Sequence, residues 1–177
     1  MKRLNEIWTR RTTRAYGKKK LVTQKHMEMF FQAAMRAPSS YNMQPWRFWF
    51  AEIDSPQGQH LLSFLVAQNA SWAKDADWIV LVGAAKSGVF RGELIDNPMA
   101  SFDTGAACLN FALQVTQAGF GSAVVGGFDR ARATAMIDDP AIEVQVMILV
   151  GSSATQEAFE VPREPLNSRV FELSYSD

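Results

Sequence analysis

The chain has 177 residues, with 18 Lys and Arg against 18 Asp and Glu, and its hydrophobic fraction is 47%. A chain of this length typically forms one domain that buries roughly two thirds of its unfolded surface without disulfides or metals. The zero net charge disfavours nucleic acid or an anionic membrane as a partner. Cys108 is the single cysteine, and the sequence contains neither an apolar run of membrane-spanning length nor a signal peptide. We therefore expect a protein of the reducing cytoplasm that binds no membrane.

The N-terminal half of the chain combines helical apolar periodicity with one extended aromatic segment. Thr23 is the predicted N-cap of its longest helix, because apolar residues recur behind it at helical spacing and Pro38 stops the pattern. Ser55-Pro56 is likewise predicted to open a helix. The predicted elements are, in order, a short helix at 4–11, a helix at about 24–36, a polar loop at 38–45, a strand at 46–53 and a helix at about 57–69.

The C-terminal half contains a helix that is apolar on nearly all sides, between two apolar strands. Residues 78–84 form a continuous apolar run of the kind that a strand covered on both faces shows. The helix from Asp103 to about Gly119 predicts a central, fully buried element. At 87–101 we expect a loop with one helical turn, because no periodicity is present. The remaining predicted elements are an extended run at 119–127, a helix at 130–137, a strand at 144–151 and a polar tail from 152. The pattern is α+β.

Three segments are difficult to explain by packing alone, and the first is a basic turn. Arg10, Arg11 and Arg14 bring three guanidinium groups beside the hydroxyls of Thr12 and Thr13. This composition suits bidentate capture of a phosphate. Composition alone favours a solvated surface turn, because short charge runs usually lie on the surface.

The second segment is the polar loop at 38–45. Asn42 and Gln44 each present a donor beside an acceptor, and Pro38 and Pro45 limit the backbone entropy lost on binding. A heterocycle with alternating N–H and C=O edges, such as the pyrimidine side of a flavin, requires such groups. A capped helix end followed by a turn is an equal alternative.

The third segment is the glycine-rich stretch at 119–127, which follows the apolar helix. Its four glycines allow the backbone to approach a flat ligand or another chain closely. A backbone N–H there could bond a ring nitrogen. Glycines in an ordinary tight turn are the alternative.

In their order and spacing, the three segments together resemble the nitroreductase family. That family has an Arg-Arg-Ser/Thr-x-Arg start, a Pro-Ser-x-x-Asn-x-Gln-Pro-Trp loop and a helix closing in Gly-x-x-x-x-x-x-x-Gly-Phe. The resemblance covers about residues 7–151 and resumes at 162–166. It implies a single FMN-binding domain over residues 1–177 with a short C-terminal extension. The implied fold has a central, mostly antiparallel sheet flanked by helices, in an intertwined homodimer.

The resemblance also implies an FMN site between the two subunits. The phosphate would be held by Arg10, Arg11, Arg14, Arg163 and Thr12, the last in the family's serine position. The partner chain would supply Pro38, Ser39 and Ser40. Polar contacts near the flavin or its ribityl chain would come from Asn42, Gln44 and Asn69. The ring would be lined by Val124, Val125, Gly126 and Gly127, with the Gly126 N–H facing N5.

Family chemistry implies ping-pong hydride transfer from NADH or NADPH, through FMN, to a small acceptor such as a nitroaromatic or a quinone. No side-chain acid or base is obligatory, so we assign no catalytic residue. Trp72 and Val161 stand where some relatives have lysines, and 87–101 is short where longer relatives insert helices. A flavin-destructase, a dehalogenase or an oxidase would share the same site. A flavin-binding protein without turnover is the alternative outside the enzymes.

The remaining reactive side chains are predicted to be structural. Cys108 lies in the apolar helix, which indicates a packed core thiol. His26 and His60 have no nearby cluster of carboxylates or cysteines, so no metal site is predicted. Asn110 needs a polar partner, either across the dimer or in the adjoining loop. Small residues along the same helix would let two copies of it pack closely in a homodimer.

Overall fold

The computed structural model describes residues 4–17, 21–154 and 161–173. Its helices are α1 (Asn5–Thr9), α2 (Gln24–Ala34), α3 (Pro56–Leu62), α4 (Ala67–Ala73), α5 (Ala100–Gln117) and α6 (Arg130–Ile137). Its strands are β1 (Trp46–Glu52), β2 (Trp78–Ala85), β3 (Ser87–Phe90), β4 (Glu93–Asp96), β5 (Gly121–Val125) and β6 (Ile142–Gly151). Among the described residues, no helix is long and apolar enough to cross a membrane.

A four-stranded antiparallel sheet forms the centre of the fold. Its order is β1-β2-β6-β5, so β1 and β5 are its two outer strands. Every residue of β2 is buried, as the continuous apolar run predicts for a strand covered on both faces. The predicted α+β class and the central antiparallel sheet are confirmed.

Helices cover both faces of this sheet, and alternate residues of the strands face the two layers. Leu81 of β2 faces one core cluster, which includes residues of α3, α4 and α6. Val80 faces the other cluster, which includes residues of α2 and α5. The indole N–H of Trp78 donates to the carbonyl oxygen of Val22 at 2.7 Å and so ties the sheet to the segment before α2. Thr23 caps α2 as predicted, through a capping box with His26.

The single helix predicted at about 57–69 is wrong, because the structure has α3 and α4 with a break between them. Val66 is extended at the break, and its N–H donates to the carbonyl oxygen of Gly127 at 3.1 Å. Leu65 pairs with Phe128 in an isolated antiparallel bridge. Hydrogen bonds to a distant part of the chain therefore replace helical bonds that local periodicity predicts.

The loop predicted at 87–101 is also wrong: β3 and β4 form a hairpin there, and α5 begins at Ala100. Arg91 and Gly92 make its turn with φ of 52° and 88°. Positive φ at both central residues is the requirement of a type I′ turn, which normally selects Asn-Gly or Asp-Gly. An Arg-Gly pair lacks that signal, and each strand is too short for convincing alternation.

Helix α5 is central, but the prediction that it is fully buried is wrong for a single chain. Phe102 and Leu109 are 71% and 52% exposed on one side of it. Cys108, in the same helix, is buried in the core, which confirms the prediction of a packed thiol. The Asn110 amide donates to the carbonyl oxygen of Ala33 in α2 at 3.3 Å, so its partner is neither of the two expected.

Candidate functional site

The basic turn of residues 10–14 is fixed to the beginning of β5. Thr12 forms a parallel bridge with Ser122, and the Thr13 N–H donates to the Ser122 carbonyl oxygen at 3.0 Å. Gly121 makes room for this contact, because a Cβ there would overlap the side chain of Thr13. The turn therefore has a defined position at the edge of the sheet.

The guanidinium groups of the turn differ in what they bind. Arg11 Nη1 donates to the carbonyl oxygens of Trp8 and Arg10 at 2.7 and 3.0 Å. Arg11 Nε is buried and has no hydrogen-bond partner among the described residues. Arg10 is half-buried, while Thr12 and Arg14 are exposed. A buried unpaired donor, with two further guanidinium groups and a hydroxyl in the same turn, suits an anionic group such as a phosphate.

The far end of β5 brings together Asn69 and the glycine pair. The Asn69 amide donates to the carbonyl oxygen of Gly127 at 3.2 Å, and a Cβ on Gly127 would lie 2.8 Å from the Asn69 amide nitrogen. A Cβ on Gly126 would have nothing within 4 Å. Val124 is 44% exposed, whereas the Val125 side chain is buried in the core. Side-chain contacts at this position can therefore come from Val124, while Val125 offers only its backbone.

These two groups lie along the same outer strand. Ser122, which forms the bridge with Thr12, lies about 13 Å along the chain from Gly126 at the usual rise per residue. The structure thus places a cationic, hydroxyl-bearing end and an open, glycine-lined end at opposite ends of one extended segment. An elongated ligand with an anionic end and a flat end would match this arrangement.

The loop at 38–45 forms a separate group with a strained backbone. Tyr41, Asn42 and Gln44 have φ of 50°, 55° and 48°. This left-handed region costs Tyr41 and Gln44 roughly 1–2 kcal/mol each, whereas asparagine adopts it more readily. Such strain tends to be kept where it serves a site. Pro38, Asn42 and Gln44 are exposed, which leaves the polar side chains of the loop open to a ligand.

Two neighbours outside the loop hold it, and the sequence did not identify either as functional. The Asp103 carboxylate of α5 accepts the Ser40 N–H at 2.9 Å. The Tyr41 ring lies 4.1 Å from the Phe90 ring of the hairpin, and a Cβ on Gly88 would approach the Met43 sulfur to 2.9 Å. An acidic residue early in an apolar helix is a weak signal for Asp103. The hairpin gave no signal, because its region was predicted as a loop.

The loop and the basic turn lie at opposite corners of the sheet within one chain. β1 begins at Trp46, which pairs with Ala84, and Ala84 pairs with Glu143 of β6. β5 begins at Gly121, which pairs with Gly151 at the other end of β6. Glu143 and Gly151 are about 26 Å apart at the usual rise per residue, and β2 and β6 lie between the two outer strands. One chain therefore holds two separate groups of the predicted site residues.

This division assigns Asn42 and Gln44 to the same group as Pro38, Ser39 and Ser40. The backbone itself links them, since the Gln44 N–H donates to Ser39 Oγ at 3.1 Å. If one of these residues enters a partner's site, the others enter with it. Arg163 is exposed on the C-terminal segment, and among the described residues no hydrogen bond links it to the basic turn.

No metal-binding cluster of three or more His, Cys, Asp or Glu side chains occurs in the described part of the chain. His26 Nδ1 instead accepts the Thr23 N–H at 3.1 Å within the cap of α2. Burial raises the pKa of the Cys108 thiol to about 11. Neither side chain lies in one of the two groups above.

Comparison with known proteins gives consistent matches over most of the chain. The model of the nitroreductase family matches residues 7–152. A Bacillus subtilis (strain 168) relative named "Putative NAD(P)H nitroreductase YdgI" is 24% identical in an alignment of 193 positions that covers 90% of this chain and 91% of the relative. A solved structure described as "the oxidoreductase containing FMN" is 26% identical with a TM-score of 0.86, and the match covers 97% of this chain and 91% of that one. A "Putative NADH Oxidase" from Clostridium acetobutylicum is 25% identical with a TM-score of 0.76, over 96% and 99% of the two chains.

Proposed function

The chain belongs to the nitroreductase family, and from this premise we propose that it is an FMN-dependent oxidoreductase. It takes hydride from NADH or NADPH and passes it to a small acceptor, such as a nitroaromatic or a quinone. The names of its relatives support both cofactors. The observation that carries the proposal is the alignment of the basic turn and the glycine pair along β5.

The phosphate of FMN fits the basic turn. Arg10 and Arg14 supply charged donors, and the unpaired Arg11 Nε offers a further one. Thr12 adds an exposed hydroxyl beside them. Arg163 is proposed to join this group from the C-terminal segment.

The flavin ring fits the other end of β5. Gly126 leaves the space above the backbone open, and its N–H is the proposed donor to N5. Val124 supplies an apolar side chain, and Val125 and Gly127 contribute backbone. The Asn69 amide is held at this end by Gly127, where it is within reach of the ribityl chain or the ring.

The second half of each site is proposed to come from a second copy of the chain. Pro38, Ser39, Ser40, Asn42 and Gln44 lie too far from β5 of their own chain to share its ligand. In a homodimer, they would contact the flavin that lies along β5 of the partner subunit. Their strained loop presents amide donors and acceptors that match the pyrimidine edge of a flavin.

Exposed apolar side chains on α1 and α5 support the homodimer. Leu4, Ile7 and Trp8 are each more than half exposed, and α1 packs beside α5, which exposes Phe102 and Leu109. Large exposed apolar side chains on neighbouring helices favour an interaction site. The C-terminal segment at 161–173 also exposes five large apolar side chains, as expected if it wraps around a partner. We also propose that residues 1–177 form a single domain.

FMN, when bound, supplies the hydride chemistry, and the protein contributes binding, orientation and electrostatics. The basic turn anchors the charged end, and the Gly126 N–H and the amides of Asn42 and Gln44 orient the ring. A nicotinamide and then an acceptor would bind against the exposed face of the bound ring. None of these steps needs a side-chain acid or base, so we propose no catalytic residue.

The absorbance spectrum of the purified protein tests this function. We expect flavin bands that disappear on anaerobic addition of NADH or NADPH and return when a nitroaromatic or a quinone is added. A colourless protein that acquires no flavin bands with FMN would refute the proposal. Bound FMN that neither nucleotide reduces would identify a flavin-binding protein without turnover.

An NADH oxidase is the second candidate, favoured by the name of the Clostridium acetobutylicum relative. It would use the same site with dioxygen as acceptor. Steady NADH consumption in air without another acceptor, with peroxide or water as product, would distinguish it from a reductase. Flavin-destructase and dehalogenase activities would instead be recognised by loss of the flavin or by release of halide.

A further inference from the structure

Asp103 connects the central helix α5 to the polar loop at 38–45. Its carboxylate accepts the backbone N–H of Ser40 at 2.9 Å, and its side chain is only 5% exposed. Asp103 lies in the first turn of α5, where the helix dipole is favourable to a negative charge. A charged acceptor also makes a stronger hydrogen bond than a neutral one. This contact is therefore suited to hold a piece of backbone in place.

The other hydrogen bonds of the loop are local. The Asn42 N–H donates to the Ser39 carbonyl oxygen at 3.0 Å, and the Gln44 side chain donates to the Asn42 carbonyl oxygen at 3.2 Å. Arg47 of the adjoining strand donates to the Gln44 carbonyl oxygen. In the described part of the chain, the Asp103 carboxylate is the one hydrogen-bond partner of residues 39–44 from outside the loop and β1.

The loop needs such an anchor because its backbone is strained. Tyr41, Asn42 and Gln44 are all in the left-handed region. A sparsely populated conformation persists only when its surroundings determine it. The ring contact between Tyr41 and Phe90 supports the middle of the loop, while the Asp103 bond fixes its beginning.

We propose that Asp103 is a positioning residue for FMN binding. Its carboxylate fixes the Ser40 N–H and so arranges the side chains of Asn42 and Gln44 before the flavin binds. Preorganisation of this kind strengthens binding by lowering the conformational entropy lost on association. The inference rests on the proposed function, since it takes the loop to contact FMN.

A double-mutant cycle on this hydrogen bond tests the assignment. Ser40→Pro removes the donor, and the backbone accepts proline because Ser39 is extended (φ −148°, ψ 151°) and Ser40 is the second residue of the turn that the Asn42 N–H closes on the Ser39 carbonyl oxygen. Ser40→Ala keeps the N–H and is the matched control for the lost hydroxyl. Asp103→Ala removes the acceptor, whereas Asp103→Asn retains an oxygen that can accept.

FMN affinity is measured in each full-length variant by quenching of flavin fluorescence. We expect Asp103→Ala to bind FMN on the order of tenfold more weakly than wild type does. Ser40→Pro should bind FMN more weakly than Ser40→Ala by a similar factor. The double variant of Asp103→Ala and Ser40→Pro should bind no more weakly than Ser40→Pro alone, because both substitutions remove the same bond. Asp103→Asn should keep most of the affinity. Amide hydrogen exchange at 39–44 should accelerate in the Asp103→Ala apoprotein.

A merely structural role for Asp103 predicts a different pattern. Asp103→Ala would then lower the free energy of unfolding while binding FMN as wild type does, and that result would overturn the inference. Ser55→Ala, which removes the side-chain cap of α3, provides a variant of reduced stability far from the loop. Equal weakening of FMN binding in Ser55→Ala would overturn the inference too.

The two proposals fail in distinguishable ways. Wild-type protein that binds no FMN overturns the proposed function and this inference together. If the wild-type protein binds FMN and Asp103→Ala binds it equally well, only this inference is overturned. If Asp103→Ala does not fold, Ser40→Pro against Ser40→Ala gives the same comparison without touching α5.

Discussion

Within the basic turn, Arg11 and Arg14 have different roles. Arg11 donates to two carbonyl oxygens of its own turn, whereas Arg14 is exposed. Arg14→Ala should therefore weaken FMN binding by about 1.5–3 kcal/mol, the range for a hydrogen bond to a charged group, with little change in the free energy of unfolding of the apoprotein. Arg11→Ala should lower both the affinity for FMN and the free energy of unfolding. Fluorescence titration and urea unfolding measure the two effects.

Lys74→Ala is the control for this pair, because it removes an exposed positive charge at the end of α4. It should leave both FMN affinity and stability close to wild type. If Arg14→Ala bound FMN as tightly as Lys74→Ala, the basic turn would not be the phosphate site.

Because the Cys108 thiol is buried, the free energy of unfolding should fall as the pH rises through the alkaline range. Burial raises its pKa from 9.0 to about 11, so the folded protein holds this proton more tightly than the unfolded chain. The resulting stabilisation is complete below pH 9 and is lost as the pH rises towards 11. By pH 10, the loss from this group should be on the order of 1 kcal/mol.

Cys108→Ala should therefore show a smaller decline in unfolding free energy between pH 8 and pH 10 than the wild type, as measured by urea unfolding. Burial also raises the pKa of Tyr16, which adds an alkaline loss common to both proteins. The difference between the two pH profiles isolates the thiol. Identical profiles would mean that the thiol ionises as easily in the folded protein as in the unfolded chain.

At the scale of elements, the two adjacent glycines after β5 should respond differently to the same substitution. Gly127→Ala places a methyl group against the Asn69 amide and should lower the free energy of unfolding by about 1–3 kcal/mol, as overpacking does. Gly126→Ala meets nothing within 4 Å in the protein, so the fold should tolerate it. Its methyl group should instead weaken FMN binding, because it fills space assigned to the ring.

Each glycine variant is thus the control for its neighbour. Thermal unfolding of the apoproteins and FMN titration separate the two effects. Gly126→Ala with wild-type FMN affinity would contradict the proposed position of the ring at this end of β5.

Sequence patterns predicted the elements that local chemistry determines. The Thr23 cap and apolar spacing predicted α2, and the unbroken apolar run predicted β2. The break between α3 and α4 depends on the bond from Val66 to Gly127, which no local pattern contains. The β3–β4 hairpin was missed for the same kind of reason, since Arg91 adopts a left-handed conformation that its residue type does not indicate.

Motif order could single out candidate residues for the site, but it could not predict their arrangement. Motif order singled out Asn69 and Gly127, and the structure brings them together. The sequence could not reveal that Asp103 holds Ser40, because that bond joins distant segments through the packing of α5. Nor could it show how far the loop lies from β5, which follows from the strand order.

At the scale of the whole molecule, a second copy of the chain would explain two features: the separation of the two groups of site residues and the exposed face of α5. A single chain exposes Phe102 and Leu109 on α5 and separates two groups of site residues. A second copy would cover these two side chains and would bring its own loop at 38–45 to the site along β5. Flavin binding should therefore depend on dimerisation.

Phe102→Glu tests this dependence, because it places a charge on the exposed face of α5, where Phe102 is 71% exposed. We expect a monomer by light scattering, with FMN affinity reduced by tenfold or more, because several hydrogen bonds from the partner's loop would be lost at about 1 kcal/mol each. Met136→Glu is the control: Met136 is 37% exposed on α6, in the opposite helical layer. It should remain dimeric and yellow. If Phe102→Glu were a monomer that bound FMN with wild-type affinity, one chain would suffice for the site, and the loop at 38–45 would have no part in a partner's flavin.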